Sequence, residues 1–223
     1  MPLQATSGAA SYDAFGGGVA SVPTFVEDVF STTLYDGTTA VQTITNNIDL
    51  STKGGLVWIK ARNFAYSNAL FDTVRGDNIL QSNLTDGQYA GPYITYNSTG
   101  FSLEPTAQIN YGTNRNYCSW TFRKQPKFFD VVTYTGNGTS GRAISHNLQS
   151  TAGTIFIKRT DTTSNWLVMT NQLSYALWLN STNADISTNT DNGYLTDTGT
   201  SSTFSVYSGS SNIPLLMLLV ALM

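Results

Sequence analysis

The chain has 223 residues and a net charge of −3; 40% of its residues are hydrophobic, 12% are aromatic and 11% are charged. This length holds one large β domain or two units of about 100 residues, and the many aromatic and β-branched side chains argue against a disordered chain. The 11 lysines and arginines form no basic cluster, which argues against a nucleic-acid-binding surface because such a surface needs several cations on one face.

Residues 1–25 form an Ala-, Ser- and Gly-rich segment that includes three consecutive glycines. Such a segment buries too little apolar area to become ordered alone, and we predict a flexible N-terminal arm. Two interpretations remain open, a disordered tail and an assembly arm that becomes ordered against neighbouring subunits. The apolar anchors of the assembly arm would be Phe15, Val19, Val22 and Phe25.

From residue 26 onward, short β-type runs alternate with turn residues, and no segment keeps a 3.6-residue period. The pattern predicts an all-β fold with antiparallel strands, arranged as two tandem sandwich- or jelly-roll-type units. We place the first unit at residues 26–123, with predicted strands at 29–35, 40–50, 56–60, 69–73, 79–82, 93–96, 101–103 and 117–122.

A linker at residues 124–128 and a second unit at residues 129–223 complete the predicted organisation. In the second unit, Asn137-Gly138 is a good signal for a two-residue hairpin turn. The predicted strands are 129–134, 142–148, 154–158, 166–170, 176–179 and 204–207.

The division into two units depends on an internal repeat. Residues 56–62 recur at 154–160, where Ile157 lies 98 positions after Ile59. Residues 68–71 match 165–168, and residues 80–85 match 177–182, each pair 97 positions apart. One β-rich unit used twice indicates scaffolding or surface display rather than a single active site.

Residues 213–223 are entirely apolar, which breaks the alternating pattern. The segment is too short to cross a bilayer as a helix, which needs about 20 residues, and we predict no membrane span. Three interpretations remain open: a buried central strand that corresponds to residues 117–122, a contact with another chain, and an altered reading frame at the end of the gene.

Candidate catalytic groups are few. A glycosidase needs two carboxylates across the bond that it cleaves, but the only glutamates are Glu27 and Glu104, and no strand carries carboxylates on one face. The one histidine, His146, matches Asn46 in the repeat, so we expect it to form hydrogen bonds near a turn. We expect Cys118 to be a buried thiol. We therefore predict a protein that is not an enzyme.

Metal sites and cofactors are not expected either. One histidine and one cysteine nearly exclude a zinc site within a single chain. A calcium site is excluded less firmly, because several residues with oxygen ligands share one probable loop. No defined calcium-loop motif is present, however. These residues, which we interpret as solvated turn residues, are Asp185, Asn189, Asp191, Asn192 and Asp197.

Sugar binding is the main functional alternative. Shallow glycan sites stack exposed aromatic rings on sugar faces and bind the hydroxyls through nearby Asn or Asp side chains. Six tyrosines fall in or beside predicted loops and are candidates for glycan or subunit contacts: Tyr66, Tyr89, Tyr93, Tyr111, Tyr175 and Tyr194. The aromatic residues inside strand patterns are instead expected in the core: Trp58, Phe71, Trp120, Phe156 and Trp166.

Several short sequence motifs resemble segments of marine bacteriophage proteins, in particular those of cyanophages. The motifs together cover about residues 26–210. They are Gly55-Leu56-Val57-Trp58-Ile59-Lys60, Asn68-Ala69-Leu70-Phe71-Asp72-Thr73, Val74-Arg75-Gly76, Asn83-Leu84-Thr85, residues 98–103, Tyr117-Cys118-Ser119-Trp120-Thr121-Phe122, residues 127–136 and residues 144–148.

The resemblance implies a virion structural protein of the tail-fibre type, with tandem β repeats of the concanavalin-like or jelly-roll kind. It supplies no catalytic residue, and the likeness ends after Asn212. We therefore expect a particle component, assembled in the host cytoplasm, whose partners are copies of itself and other virion proteins. The alternatives are a lectin-like module that binds host surface polysaccharide and a capsid decoration protein.

Overall fold

The computed structural model describes residues 24–112, 114–171, 175–182, 186–187, 199–206 and 215–220. Within these residues the fold is all-β, as the sequence predicts, and contains no α-helix. A single 3₁₀ turn, Val26–Asp28, precedes the first strand. The strands pair antiparallel in several sheets, an arrangement consistent with a β-sandwich.

The described residues of the first half of the chain, 26–123, form nine strands. Six of them form one sheet in the order β1-β9-β3-β4-β5-β6, and three form a second sheet in the order β2-β8-β7. The strands are β1 (Phe30–Asp36), β2 (Gln42–Thr45), β3 (Gly55–Ala61), β4 (Ala69–Asp72), β5 (Asn78–Gln81), β6 (Tyr89–Ala90), β7 (Ile94–Asn97), β8 (Gly100–Leu103) and β9 (Asn116–Arg123).

The second half, residues 129–223, has the same plan in its described strands. Six strands form a sheet in the order β10-β17-β12-β13-β14-β15, and two form a sheet in the order β11-β16. The strands are β10 (Phe129–Tyr134), β11 (Arg142–Ser145), β12 (Thr154–Lys158), β13 (Leu167–Thr170), β14 (Tyr175–Trp178), β15 (Ile186–Ser187), β16 (Thr203–Val206) and β17 (Leu215–Val220).

The two six-stranded sheets correspond in register as well as in strand order. Trp58 on β3 pairs with Leu70 on one side and Trp120 on the other. Phe156 on β12 pairs in the same way with Val168 and Leu218. Trp58 and Phe156 therefore occupy equivalent places. That both halves descend from one duplicated unit stays a prediction.

Each half has its own apolar core between its two sheets. On β3, Val57 and Ile59 point inward and are fully buried, because alternate residues of a strand face the same side. The first core also contains Phe71 from β4 and Phe101 from β8. The second core is built from Ile155, Ile157, Met169, Phe204 and their neighbours.

A third cluster lies at the junction of the two halves. It consists of the residues on the opposite face of each six-stranded sheet, so the halves pack against each other through these faces. The buried members are Leu56, Leu70, Leu80, Phe129, Val131 and Trp166, and Trp58, Phe122, Phe128 and Phe156 pack around them half-buried. Of the aromatic residues expected in the core, Phe71 and Trp166 are buried, whereas Trp58, Trp120 and Phe156 are half-buried.

Hydrogen bonds cross the junction at its edges. The Trp166 indole N–H donates to the carbonyl of Gln81 at 2.9 Å. The backbone N–H of Ser164 donates to Thr85 O at 2.7 Å, and that of Gln88 donates to Thr160 O at 2.8 Å. These bonds fix the two halves in one relative orientation.

The predicted strand at 40–50 is too long, because β2 ends at Thr45. Asn46 turns its side chain back, so that its Oδ1 accepts the backbone N–H of Ile48 at 3.2 Å, and Asn47 adopts a positive φ of 64°. The corresponding prediction at 142–148 is too long for the same reason, since β11 ends at Ser145 and the Nδ1 of His146 accepts the Leu148 N–H at 3.2 Å.

The hairpin predicted at Asn137-Gly138 is wrong. β10 and β11 flank this loop but belong to different sheets, so the loop crosses from one sheet to the other. Gly138 still needs its positive φ of 73°, and Asn137 Oδ1 still accepts the Thr139 N–H at 3.0 Å. Asn137 and Gly138 therefore do form a local turn, but this turn does not join two paired strands.

The repeat alignment of residues 68–71 is shifted by one position. Phe71 pairs with Val57, and Met169 pairs with Ile155, so Phe71 corresponds to Met169, which lies 98 rather than 97 positions later. The offset of 97 holds in the following strand, where Leu80 pairs with Leu70 and Leu177 with Val168.

The apolar segment after residue 212 contains a central strand. β17 lies between β10 and β12, the same position that β9 occupies between β1 and β3. Of the three interpretations of this segment, the structure therefore agrees with the central strand. Residues 207–214 and 221–223 are outside the described residues.

The connector between the halves is a tight turn. Gln125 and Phe129 form an antiparallel bridge in which each backbone N–H donates to the carbonyl of the other residue. Lys127 has a positive φ of 61°, and its N–H donates to Leu148 O at 2.6 Å. The connection from β9 to β10 is thus a short turn that is held by backbone hydrogen bonds.

Candidate functional site: the tyrosine loops of the first half

Two loops of the first half meet beside the ends of β3 and β9. The β3–β4 loop, residues 62–68, is tied to the β8–β9 loop, residues 104–115, through Asn63. Its Nδ2 donates to Asn114 O at 2.7 Å, and its Oδ1 accepts the Asn116 N–H at 2.9 Å. Within the first loop, the Lys60 ammonium group donates to Tyr66 O. These bonds bring two candidate tyrosines, Tyr66 and Tyr111, to one place.

Arg115 organises three aromatic rings at this place. Its guanidinium carbon lies 4.7 Å from the ring centre of Phe64, 5.2 Å from that of Tyr66 and 4.7 Å from that of Tyr111. A guanidinium group over an aromatic face contributes about 0.5–2 kcal/mol, depending on solvent exposure. Its Nη1 is buried and has no hydrogen-bond partner among the described residues.

The rings remain accessible from outside. Phe64 and Tyr66 stack with their centres 5.9 Å apart and their planes 15° apart. Phe64 is 43% exposed and Tyr111 is 44% exposed. The cluster therefore offers fixed, partly solvated aromatic faces, a surface that can stack on a planar or sugar-like ligand.

A second pair of candidates, Tyr89 and Tyr93, lies next to this cluster. Their ring centres are 6.2 Å apart in an edge-to-face arrangement. The Tyr89 hydroxyl donates to Gln108 Oε1 at 3.3 Å, and Gln108 Nε2 donates to Ser67 O at 3.3 Å. Gln108 thus connects Tyr89 to the loop that carries Tyr66.

The two members of this pair differ in their surroundings. Tyr89 is 39% exposed, and burial raises the pKa of its hydroxyl, with smaller contributions in the same direction from Tyr93 and Asp86. Tyr93 packs against the first core, 6.0 Å from the Phe71 ring centre. The Tyr93 ring therefore contributes mainly to packing and offers little open surface for a ligand.

The remaining predicted contact residues are only partly described. Tyr175 is described in its backbone, at the start of β14, and Tyr194 lies outside the described residues. Phe25 is 58% exposed, whereas Phe15, Val19 and Val22 also lie outside the described residues. The calcium candidates at positions 185–197 fall there too.

Three functional candidates were missed from the sequence: Phe64, Gln108 and Arg115. Phe64 and Tyr66 are two positions apart just after a strand, a spacing that places rings on one side of an extended segment. No local signal marked Arg115, because its three aromatic partners come from separate parts of two loops.

The first half contains a buried ion pair. Asp72 is 1% exposed and accepts the Arg75 Nε–H at 2.6 Å, together with the backbone N–H groups of Val74 and Arg75. Arg75 also donates to Asn78 O at 3.1 Å. The phrase Asp72-Thr73-Val74-Arg75-Gly76 thus closes the turn between β4 and β5.

The second half contains another such pair. The carboxylate of Asp130, which is 2% exposed, lies 2.8 Å from the Lys124 ammonium group and accepts the backbone N–H of Asn147 at 2.8 Å. Lys124 also donates to Val131 O at 3.2 Å. Lys124, in the linker, is therefore engaged with the second half.

His146 replaces Asn46 in the second half and performs the same backbone contact. Burial lowers the pKa of His146, whereas the Asp130 carboxylate and the Thr200 backbone oppose that shift. Its Nδ1 accepts a backbone N–H, and its Nε2 is buried without a hydrogen-bond partner among the described residues. The ring stacks on Phe204 with an interplanar angle of 10°. His146 is thus committed to the core.

Lys158 and Cys118 are the other buried reactive groups. Lys158 is 1% exposed, its ammonium group donates to Arg159 O at 2.7 Å, and burial lowers its pKa to about 8. Cys118 is a free thiol, 8% exposed, and burial raises its pKa, as expected for an unreactive cysteine. Across the described part of the chain, no three His, Cys, Asp or Glu side chains come together as metal ligands.

The described residues also contain no helix that is long and apolar enough to cross a bilayer.

No curated protein and no solved structure matches the chain. One family model does match, over residues 26–214, which include the tyrosine loops and most of the described strands. The chain therefore belongs to the family described as a domain of unknown function, DUF7483.

Proposed function

We propose that this chain is a non-enzymatic structural protein of a bacteriophage particle, a tail fibre or another exposed component, which assembles with copies of itself and with other virion proteins. It would be made in the host cytoplasm and would reside in the finished virion. The proposal begins from the resemblance of the repeated phrases to marine phage proteins.

One structural observation gives the proposal its main support. Three of the buried ionisable groups among the described residues are held in internal bonds: Asp72 by Arg75, Asp130 by Lys124, and Lys158 by a backbone carbonyl. A general acid or base must be able to reach a substrate proton. Groups that are committed to turns and strand ends stabilise a fold but are poorly placed for acid–base chemistry.

The surface also suits lateral packing. Only 11% of the residues are charged, so association desolvates few ions. Leu34 is 60% exposed on β1, the edge strand of the first sheet. An exposed edge strand with an apolar side chain is a natural place for contact with another chain.

Two experiments test the particle role. Mass spectrometry of purified virions and immunogold labelling should find the chain in the particle and place it on the tail or on the capsid. Sedimentation of the isolated chain should give a defined oligomer. A stable monomer that never enters particles would contradict the proposal.

The edge-strand contact can be tested with a matched pair of variants. Leu34→Lys should weaken association, because it places a charge where apolar contact is needed. Thr32→Lys, on the same exposed face of β1, is the control for added charge. Equal effects of the two substitutions would mean that Leu34 makes no specific contact.

A second candidate function is binding of host surface polysaccharide through the tyrosine loops. The observation that favours it is the partly exposed set of rings, Phe64, Tyr66 and Tyr111, fixed around Arg115. On a glycan array, Tyr111→Ala should reduce binding, whereas Leu34→Ala should not. The absence of binding, together with phage adsorption that is unaffected by antibody against the chain, would remove this function.

A further inference from the structure

A groove of about 540 Å³ lies at the junction of the two halves, where the β3–β4 loop enters β4. The first half contributes residues at the ends of β4 and β5, and the second half contributes the residues after β14. Its lining residues are Trp58, Asn68, Ser82, Asn83, Leu179, Asn180, Ser181 and Thr182. Small-molecule sites in proteins commonly have volumes of about 300–1,000 Å³.

The two walls are built by equivalent asparagines. Asn83 Oδ1 accepts the backbone N–H of Asn68 at 2.8 Å, and Asn180 Oδ1 accepts the backbone N–H of Trp166 at 2.8 Å. Asn180 lies 97 positions after Asn83, so the same device occurs once in each half. This shared role accounts for the recurrence of asparagine at positions 83 and 180.

Both walls are fixed before any ligand arrives. Asn180 Nδ2 donates to Asn165 Oδ1 at 2.9 Å, and Asn68 Nδ2 donates to Ser82 Oγ at 3.1 Å. The junction itself is fixed by the Trp166 indole, which donates to Gln81 O. A preformed groove loses little conformational entropy when it binds a ligand.

The chemistry of the lining selects the ligand class. None of the residues that line the groove is charged, so an ionic ligand would lose hydration without gaining a counter-charge. Trp58 is half-buried and Leu179 is 37% exposed, so together they offer apolar surface. Amide and hydroxyl groups surround that surface. An aromatic face bordered by neutral hydrogen-bonding groups suits a sugar ring, which has apolar C–H faces and a rim of hydroxyls.

We propose that this junction groove binds a neutral saccharide, with one sugar ring against Trp58 and its hydroxyls directed to the asparagine and serine or threonine side chains of the two walls. The Trp58 ring packs edge-on against that of Trp120 on the neighbouring strand, with the ring centres 6.2 Å apart. The site depends on both halves and on their mutual packing. It borders the β3–β4 loop at Asn68 but includes none of the aromatic residues around Arg115, and it does not depend on a role in a virion.

The test uses the full chain on a glycan array that carries neutral hexose oligomers and acidic, uronate-containing oligomers. Hits are then titrated with the free oligosaccharide, and tryptophan fluorescence is followed. Binding should favour neutral glycans. Binding to acidic glycans alone, or no binding to millimolar neutral oligosaccharide, would overturn the proposal.

Two variants locate the site. Thr182→Trp fills the groove from an exposed position, and Leu179→Lys replaces an apolar wall residue by a cation. Each should weaken binding at least tenfold while the circular dichroism spectrum and the melting temperature stay as in the parent. Thr139→Trp, at an exposed position of the β10–β11 loop, is the matched control and should bind normally.

Tyr111→Ala separates this site from the tyrosine loops. Binding that is kept in Tyr111→Ala and lost in Thr182→Trp supports the junction groove. Binding that is lost in Tyr111→Ala and kept in both groove variants overturns it and assigns the sugar to the loops instead.

Discussion

Replacement of Asp72 by asparagine should destabilise the protein strongly. The Asp72 and Arg75 side chains are 1% and 5% exposed, and the carboxylate oxygen lies 2.6 Å from the Arg75 Nε. Asparagine has nearly the same shape but leaves the guanidinium charge buried without its counter-ion. Removal of one partner of a buried ion pair costs about 3–5 kcal/mol.

Urea unfolding followed by tryptophan fluorescence measures this loss. With an m-value of about 2 kcal/mol per molar urea, the unfolding midpoint should fall by about 1.5–2.5 M. The matched control is Asp161→Asn, because Asp161 also pairs with an arginine, Arg159, at 2.8 Å, but the two side chains are 40% and 22% exposed. That variant should lose no more than about 1 kcal/mol.

The double variant Asp72→Asn/Arg75→Met tests the cause. Removal of the orphaned cation should recover part of the stability that Asp72→Asn loses, because the penalty comes from the unpaired charge. Equal midpoint shifts for Asp72→Asn and Asp161→Asn would refute the reasoning, since burial would then make no difference to the pair.

Three further predictions concern single positions. Lys158→Met should stabilise the protein at pH 7 by about 1–3 kcal/mol, because a buried ammonium group is no longer desolvated. The gain should shrink between pH 8 and pH 10.5, because the folded-state pKa of Lys158 is about 8 and its unfolded value is 10.5. In parallel urea titrations, Lys60→Met, at the half-buried equivalent position, should show little of this gain. His146→Asn should remove part of the loss of stability below about pH 6.5. The folded-state pKa of His146 lies below the ordinary value of 6.5, so the unfolded chain binds more protons as the pH falls. An unchanged pH profile of the melting temperature would contradict this. Gly55→Ala should prevent stable folding, because a Cβ at Gly55 would lie 2.0 Å from a backbone carbonyl oxygen. Gly76→Ala should cost only about 1 kcal/mol in thermal unfolding, because a Cβ there would have no atom within 4 Å and only the φ of +69° is unfavourable.

The strands were largely predictable because their signal is local. β10 and β12 begin and end where the alternation of β-branched and aromatic residues predicts. The two-residue strands β6 and β15 were missed, because two residues are too few to show alternation. The pairing of β10 could not be predicted from the turn that follows it, since its partner β17 is supplied by the far end of the chain.

The candidate site was predictable in part. The tyrosines were expected in loops. Tyr66 and Tyr111 do lie in two loops that meet, whereas Tyr89 lies in the short strand β6. The difference between the exposed Tyr111 and the packed Tyr93 could not be predicted, because it depends on which loop lies over the core. The junction groove was not predicted at all, since its walls come from residues that are about 100 positions apart and meet only when the halves dock.

The tight connector at residues 124–128 has a consequence for the strength of the junction. A tether this short keeps the two halves at a mutual effective concentration of about a millimolar or more. A contact with an intrinsic dissociation constant of about 1 μM would then stay closed in more than about 99% of molecules. The halves can therefore remain docked through a modest apolar contact. A protease cut within the connector would leave them associated at high protein concentration and allow them to separate on dilution.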